Sequence, residues 1–232
     1  MLPTVCILAG GLGARLGELT KNTPKPLLEV ADEPFLSHQI RLLARHGASK
    51  IVLCVGYLGH MVEEAIGYEQ EGIEISYSYD SKDLDGTLGA LRRARPLLGE
   101  HFLVLYGDTY LQLDYADFAN RWELSGLPAA MTVLRTTGTN YLPNAVFRDN
   151  EIVLYDKFTK TNEMHWIDYG LEGLNSSALD LVGEEVSDLA DLSKVMSLDH
   201  QIFGYEVTKC FYDIGTPEAL LETDAMLRAR SH

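Results

Sequence analysis

The stretch from residue 5 to residue 28 restricts what this chain can fold into more than any other. Val5-Cys6-Ile7-Leu8-Ala9 is an unbroken apolar run closed by Gly10-Gly11-Leu12-Gly13. A short apolar run bounded by glycines reads as a strand buried on both faces, which is the signature of a parallel sheet. Gly10, Gly11 and Gly13 then make a loop whose backbone can approach a ligand closely and turn its N–H groups toward phosphate. Arg15 follows, and Thr23-Pro24-Lys25-Pro26-Leu27-Leu28 carries a second cation between two prolines.

Two familiar phosphate loops are excluded. A dinucleotide-binding turn requires a third glycine three residues after Gly13, where Leu16 stands, and a helix directly after the loop. Pro24 and Pro26 argue against a helix over 20–26. A Walker-type loop requires Gly-Lys-Ser/Thr, and the chain has no Gly-Lys pair. The expectation is a glycine loop followed by an extended segment that stiffens the backbone on both sides of Lys25.

Strand-like and helix-like segments alternate after this loop. Helical periodicity covers 34–47, with Phe35, Ile40, Leu42 and Leu43 apolar and Gly47 as the stop. A buried strand is expected at 51–55, a helix at 58–66, a strand at 73–79, a helix at 87–97 and a strand at 102–106. This order implies a mainly parallel sheet covered by helices, with ligands at the carboxyl ends of its strands. The glycine loop and Gly107-Asp108 both fall at such ends. The second half predicts helices at 115–122, 188–196 and 217–230, and strands at 129–134, 145–147, 152–155, 166–169 and 202–205. Thr216 is the expected N-cap of the last helix, with Pro217 in its first turn. Ser176-Ser177 reads as a cap before 178–181. The fold class is α/β: a Rossmann-like, mainly parallel sheet flanked by helices, with a smaller, partly antiparallel subregion. Residues 1–232 form one domain.

Composition narrows the partners. A formal charge of -15 opposes nucleic-acid and anionic-membrane surfaces. The acidic runs Asp83-Leu84-Asp85 and Glu184-Glu185 read as solvated faces or helix N-terminal charges. No apolar run has membrane-spanning length. Cys6, Cys54 and Cys210 lack metal or disulfide spacing, and buried thiols at Cys6 and Cys54 suit a reducing cytoplasm. His38, His46 and His60 read as residues on helix surfaces, and Met61 and Met164 as packing.

The opening stretch resembles the signature of the sugar-1-phosphate nucleotidyltransferases, Leu-Ala-Gly-Gly-x-Gly-x-Arg-Leu, then Thr, then Pro-Lys-Pro-Leu. Leu8 to Leu16, Thr20 and Pro24 to Leu27 match it throughout. The resemblance runs over nearly the whole chain as a catalytic core; nothing after residue 214 repeats at hexapeptide spacing, so no C-terminal β-helix is expected. It implies a reaction in which a sugar 1-phosphate oxygen attacks the α-phosphorus of a nucleoside triphosphate and pyrophosphate leaves. The nucleophile is already an anion, so no general base is required and the obstacle is repulsion. Two unit charges at ~4 Å repel by about 4 kcal/mol at an effective dielectric near 20. Catalysis should rest on positioning and charge neutralisation.

The same resemblance assigns roles. Leu8, Ala9, Gly10, Gly11 and Gly13 cradle the triphosphate, with Arg15 and Lys25 as the catalytic cations. Asp108, in Gly107-Asp108, and Asp213, in Asp213-Ile214-Gly215-Thr216, are expected to hold Mg²⁺. Gly86-Thr87-Leu88-Gly89-Ala90-Leu91 matches the segment that faces base and ribose. Leu88 is bulkier than usual there, and either narrows the base pocket or faces the core. Asp80, within Tyr79-Asp80-Ser81-Lys82-Asp83, should border the base. Lys157 is expected to take the sugar phosphate. Asp156 stands where the family has Glu, and Phe158 where it has Pro. Asp168-Tyr169-Gly170 resembles the strand that contacts the sugar, although an alternating strand that buries Tyr169 is the simpler reading. Asn144 either binds the sugar or caps a turn.

Tyr155-Asp156-Lys157, residues 167–171, residues 188–192 and residues 204–207 together resemble a short branch of the family. It is built around D-glycero-α-D-manno-heptose 1-phosphate guanylyltransferases and muramic-acid-type uridylyltransferases. That favours GTP and a heptose 1-phosphate, giving GDP-heptose for a surface polysaccharide. The rival is uridylyl or thymidylyl transfer to another hexose 1-phosphate. A non-catalytic paralogue would lack one of Arg15, Lys25, Asp108 or Asp213, and all four are present. A phosphocholine-type cytidylyltransferase is opposed by the two sugar-side segments. Such enzymes are often dimers or tetramers, so a homo-oligomer is also expected.

Overall fold

The computed structural model describes residues 2–81, 86–139 and 141–230. The expected acidic run at Asp83 and Asp85, and Lys82 and Asp83 at the base border, lie outside the described residues. The strands are β1 (Thr4–Leu8), β2 (Glu29–Val30), β3 (Glu33–Pro34), β4 (Lys50–Val55), β5 (Glu69–Gln70), β6 (Ile73–Tyr79), β7 (His101–Tyr106), β8 (Thr109–Tyr110), β9 (Ala129–Arg135), β10 (Ala145–Arg148), β11 (Glu151–Tyr155), β12 (Trp166–Asn175), β13 (Ile202–Val207) and β14 (Tyr212–Asp213). The α-helices are α1 (Phe35–Arg45), α2 (Gly59–Ile66), α3 (Gly86–Leu98), α4 (Tyr115–Ser125), α5 (Leu189–Leu198) and α6 (Pro217–Arg230).

Ten strands form one sheet in the order β10-β11-β13-β9-β12-β7-β1-β4-β6-β5. The run β7-β1-β4-β6 is parallel, and β1 lies at its centre, with Leu8 opposite Cys54 on one side and Tyr106 on the other. The apolar run at the start of the chain is explained by this position. Val5 and Ile7 face one core with Leu36, Ile40 and Leu43 of α1, while Cys6 faces the other with Leu88, Leu91 and Ala94 of α3. Alternation places residues on opposite faces, and both faces are buried, so no polar residue interrupts the pattern.

The second half does not form a separate layer. It extends the same sheet, with β12 antiparallel to both β7 and β9, β13 parallel to β9, and β10 and β11 antiparallel at the far edge. The strand expected at 166–169 runs on to Asn175 through a register shift between Asp168 and Glu172. Two small sheets were not anticipated, β2–β3 and β8–β14. The C-terminal α6 packs Leu227 against Val30, Tyr110 and Ile214.

Local expectations fail in three places. Lys25 is not in an extended segment: Pro24 is extended, and Lys25–Leu27 then make one 3₁₀ turn closed by Leu28 N–H donating to Lys25 O at 3.1 Å. Proline near a helix start has no N–H to lose there, so Pro26 permits the turn. The cap before Ser176–Asp180 is Asn175 rather than a serine. His38 is buried, its ring held 2.7 Å from Val30 O, because that face of α1 packs under the β2–β3 hairpin rather than meeting solvent. Leu88 and Tyr169 both face the core.

Gly173 of β12 is covered by the Trp122 ring of α4. A Cβ there would lie 2.6 Å from the ring, so the strand and helix approach only because no side chain intervenes. We expect Gly173→Ala to lower stability by about 1–3 kcal/mol through overpacking, with the melting temperature falling by roughly 2–4 °C per kcal/mol for a chain of this size. An unchanged melting temperature would show that α4 yields without cost.

Candidate active site

The carboxyl ends of β1 and β7 meet. Gly107 N–H donates to Leu8 O at 2.9 Å, and a Cβ on Gly107 would lie 3.0 Å from that oxygen and 3.1 Å from Ala9 Cα. A side chain there would press the two backbones apart by a few tenths of an ångström, so glycine favours the contact. A cavity of about 400 Å³ opens over this junction. Its walls include Leu8, Ala9, Gly10, Gly11, Gly13, Arg15, Lys25, Asp80, Gly86, Thr87, Tyr106, Asp108 and Gly215. The residues expected to bind nucleotide and the two expected cations therefore share one space with Asp108.

The loop is braced from within. Gly13 adopts φ 64°, and Thr20 closes over it by donating its hydroxyl to Gly13 O at 3.0 Å. A Cβ on Gly10 would meet Asp80 Oδ2 at 2.7 Å, which puts the Asp80 carboxylate directly over the loop. Gly11 has nothing within 4 Å of its would-be Cβ and borders open space.

Lys25, nearly buried, donates to Asp108 Oδ2 at 2.5 Å, and Thr109 Oγ1 donates to Asp108 Oδ1 at 3.0 Å. Asp213 is Cα partner to Thr109 across β8–β14, and Ile214 N–H donates to Asp108 O at 3.0 Å. This pairing brings the backbone of Asp213 against the Asp108 turn. Gly215 N–H donates to Asp213 Oδ1 at 2.6 Å, and the Arg15 guanidinium lies over Gly215, with Nη2 3.2 Å from a would-be Cβ. Arg15, Lys25 and Asp108 thus line the cavity, and Asp213 lies behind its wall residue Gly215. Among the described residues no group of three or more His, Cys, Asp or Glu is arranged to hold a metal ion.

The residues expected to bind sugar lie beyond the cavity wall. Lys157 Nζ donates to Asp188 Oδ2 at 2.7 Å; Thr87 Oγ1 donates to Asp188 Oδ1 at 3.1 Å and accepts from Leu189 N–H at 2.7 Å. Asp188 is the N-cap of α5 and was not anticipated from sequence, yet it joins Lys157 to a residue of the cavity wall. Burial works against its charge, but Lys157, Ala190 N–H and Thr87 hold its carboxyl below the usual range. Gly86, at φ 71°, packs against Ser187, whose carbonyl a Cβ would strike at 2.5 Å.

Asp168 Oδ1 accepts from Gly170 N–H at 2.9 Å, across a bulge that puts Gly170 at φ 103°. Asn144 Oδ1 accepts from Asp168 N–H at 2.9 Å and so fixes this segment. Burial pushes the Asp168 carboxyl up to about 6, against the pull of Gly170 N–H and Lys157. Glu172, two residues past Gly170, is buried and accepts from Ser193 Oγ at 2.9 Å; burial and the nearby Asp168 push its carboxyl well up. Asp156 is engaged in structure. Its Oδ1 accepts from Phe158 and Thr159 N–H, and Lys194 lies 2.7 Å from Oδ2, which holds the carboxyl far below its usual range. Tyr169 is turned into the core, its hydroxyl accepting from Gln112 N–H at 3.3 Å.

Comparison with known proteins agrees with this architecture. The family described as Nucleotidyl transferase matches residues 4–141. A mannose-1-phosphate guanyltransferase of Schizosaccharomyces pombe is 31% identical over 224 residues, 93% of this chain and 61% of the relative. A mannose-1-phosphate guanylyltransferase catalytic subunit beta of Dictyostelium discoideum is 29% identical, over 93% and 62%. The chain therefore spans about three fifths of the length of these relatives. The fold recurs in a Bacillus anthracis protein crystallised with sucrose and provisionally described as a glucose-1-phosphate thymidylyltransferase (TM-score 0.85, 21% identity, 98% of this chain and 96% of that one). It recurs also in HddC from Yersinia pseudotuberculosis complexed with GMP-PN (TM-score 0.77, 20% identity, 97% and 100%). With the family match covering more than half of its length, and the glycine loop and Asp108 turn inside that match, the chain belongs to the nucleotidyl transferase family.

Proposed function

We propose that this protein transfers a guanylyl group from GTP to a sugar 1-phosphate and releases pyrophosphate. The observation that carries this reading is the convergence of the glycine loop, Lys25, Arg15 and the Asp108 turn on one cavity. Guanine is supported by the names of the guanylyltransferase relatives and by the GMP-PN complex of a protein with the same fold. The preferred acceptor is D-glycero-α-D-manno-heptose 1-phosphate. Mannose 1-phosphate is a second reading, favoured by the names of the relatives. The two acceptors share the manno ring and differ by one carbon on its side chain.

In the proposed reaction the sugar phosphate oxygen forms a bond to the α-phosphorus as the bond to the pyrophosphate oxygen breaks. The backbone of Gly10, Gly11 and Gly13 holds the triphosphate, and Arg15 takes up charge on the departing pyrophosphate. Lys25 reaches the phosphates around the reacting phosphorus, and Lys157 holds the sugar phosphate. Asp108 and Asp213 would hold Mg²⁺: hard carboxylate oxygens, few enough to leave places for phosphate oxygens, suit that ion. When bound it supplies positive charge between the reacting anions. Asp168 is placed to meet sugar hydroxyls beside Lys157, and its raised carboxyl can donate as well as accept a hydrogen bond near pH 6.

Pyrophosphate release, measured with each of GTP, UTP, dTTP and CTP against heptose, mannose and glucose 1-phosphates, tests the reading. We expect GTP with the heptose to be fastest, and the other nucleotides to be slower by about tenfold or more. Equal rates with mannose 1-phosphate would favour the second reading, and no release from any pair would end both. Asp108→Asn should lower kcat by about 10²–10³-fold while circular dichroism stays native; near-normal turnover would remove Asp108 from the site. Asp168 gives a pH prediction. Between its ordinary value of 3.8 and about 6, the folded state keeps a proton that the unfolded chain has released. Stability therefore falls as pH rises through that window. Asp168→Asn, which keeps the acceptor for Gly170 N–H, should raise the urea midpoint over wild type at pH 8 and lose that advantage near pH 4. A constant difference at both pH values would contradict it.

A further inference from the structure

Gln39 sits on α1, outside the cavity wall, and is buried. Its Nε2 donates to Tyr106 O at 2.9 Å and to Thr109 O at 2.7 Å. Those two carbonyls flank Gly107-Asp108, so one side-chain amide clasps the turn that carries Asp108 from both ends. The orientation of the amide is determined, because two carbonyl acceptors require the nitrogen to face them. Oε1 must then point away, and among the described residues it accepts no hydrogen bond. A void too small for a water molecule borders Gln39, lined also by Leu42, Leu43, Leu105, Thr109, Leu111 and Tyr115.

A buried acceptor without a partner disfavours the folded state, and a leucine of similar size would avoid it. What leucine lacks is a pair of N–H donors. The arrangement makes sense where the position of the turn matters more than the loss at Oε1. The carboxylate is steered from above by Lys25 on Oδ2 and Thr109 on Oδ1, and its backbone is steered from below by Gln39. We infer that Gln39 is a positioning residue that fixes the Asp108 carboxylate for binding a divalent cation. The inference rests on the reading of Asp108 as a metal ligand.

Mn²⁺ binding to the free protein tests it, read from loss of the free-ion electron paramagnetic resonance signal at pH 8. Wild type, Gln39→Leu, Gln39→Glu and Asp108→Asn are compared, with melting temperatures measured alongside. Glu keeps the size of Gln but offers at most one O–H, and none when ionised, so it cannot donate separately to both carbonyls and serves if the leucine variant does not fold. The expected result is Mn²⁺ dissociation constants raised about tenfold in the folded Gln39 variants, with binding at the site lost in Asp108→Asn. Weakening of less than threefold in a folded Gln39 variant, with binding lost in Asp108→Asn, would overturn the positioning role while leaving the metal reading intact. A lowered melting temperature with Mn²⁺ binding unchanged would reduce Gln39 to a structural residue and overturn the inference. Undiminished binding in Asp108→Asn would remove Asp108 as a ligand, and the inference with it.

Discussion

The contact between the ends of β1 and β7 is the constraint on which the rest depends. Leu8 pairs with Tyr106, Gly107 N–H closes on Leu8 O, and a Cβ between the two backbones would force them apart. The glycine loop and the Asp108 turn leave this junction together, so neither can move without the other. β8 begins one residue after Asp108 and recruits β14 from the far end of the chain, which is how Asp213 arrives. Lys25 is carried in by a 3₁₀ turn whose C-terminal residue contacts begin the β2–β3 hairpin, which α6 covers from outside. The candidate site is thus assembled at the middle of a buried parallel run, where strand positions are held from both faces and both edges.

Much of this was legible because the demands are local. An apolar run flanked by glycines can satisfy its backbone and bury its side chains only as a central strand, and β1 does so. Gly10, Gly13 and Gly107 mark close approach or positive φ, steric requirements that leave a mark at single positions. The helices α1, α3 and α6 lie where the residues were read as helical, α1 from its apolar periodicity, and Thr216 does cap α6 by accepting from Ala219 N–H. The two-residue strands β2, β3, β8 and β14 were not legible, since a pair of residues has no period. Gln39 and His38 were missed for a related reason. On a helix they look like solvent-facing polar residues, and only the packing of α1 shows that His38 meets Val30 O of the β2–β3 hairpin and that Gln39 satisfies two carbonyls around the distant Asp108 turn. Asp188 was hidden as an ordinary N-cap, and its link between Lys157 and Thr87 exists only because α3 and α5 start side by side.

The sugar-side segment was legible as a place but not as a set of side-chain directions. Residues 168–170 do lie in a strand, and a bulge there puts Gly170 at φ 103°, which other residues adopt only with strain. Tyr169 turns into the core, as the alternating reading had it, and Asp168 stays within electrostatic reach of Lys157. The bulge breaks the alternation after that pair, so the continuation to Glu172 was not legible. Asp156, chosen because it stands where the family has glutamate, is instead committed to a turn and to Lys194. A shorter carboxylate close to its own backbone captures the following N–H groups, as Asp does in Asx turns.

The charge of the chain poses a harder question: how a protein at -15 keeps cations available for phosphates. The pairing pattern supplies a physical answer. Lys25 and Lys157, the two lysines the proposed reaction uses, each rest on a carboxylate, Asp108 and Asp188. For Lys25 this matters most, because an unpaired ammonium at that depth would be strongly disfavoured. For Lys157, half exposed, the pair is weak and readily exchanged. Under the proposed transfer, Asp108 would hold a divalent cation and Lys25 would pair with phosphate in place of the carboxylate. The number of opposite-charge contacts is then preserved across the exchange. The acidic excess elsewhere on the surface does not enter this local balance, since charges farther than about 8–10 Å through solvent are largely screened at ordinary salt.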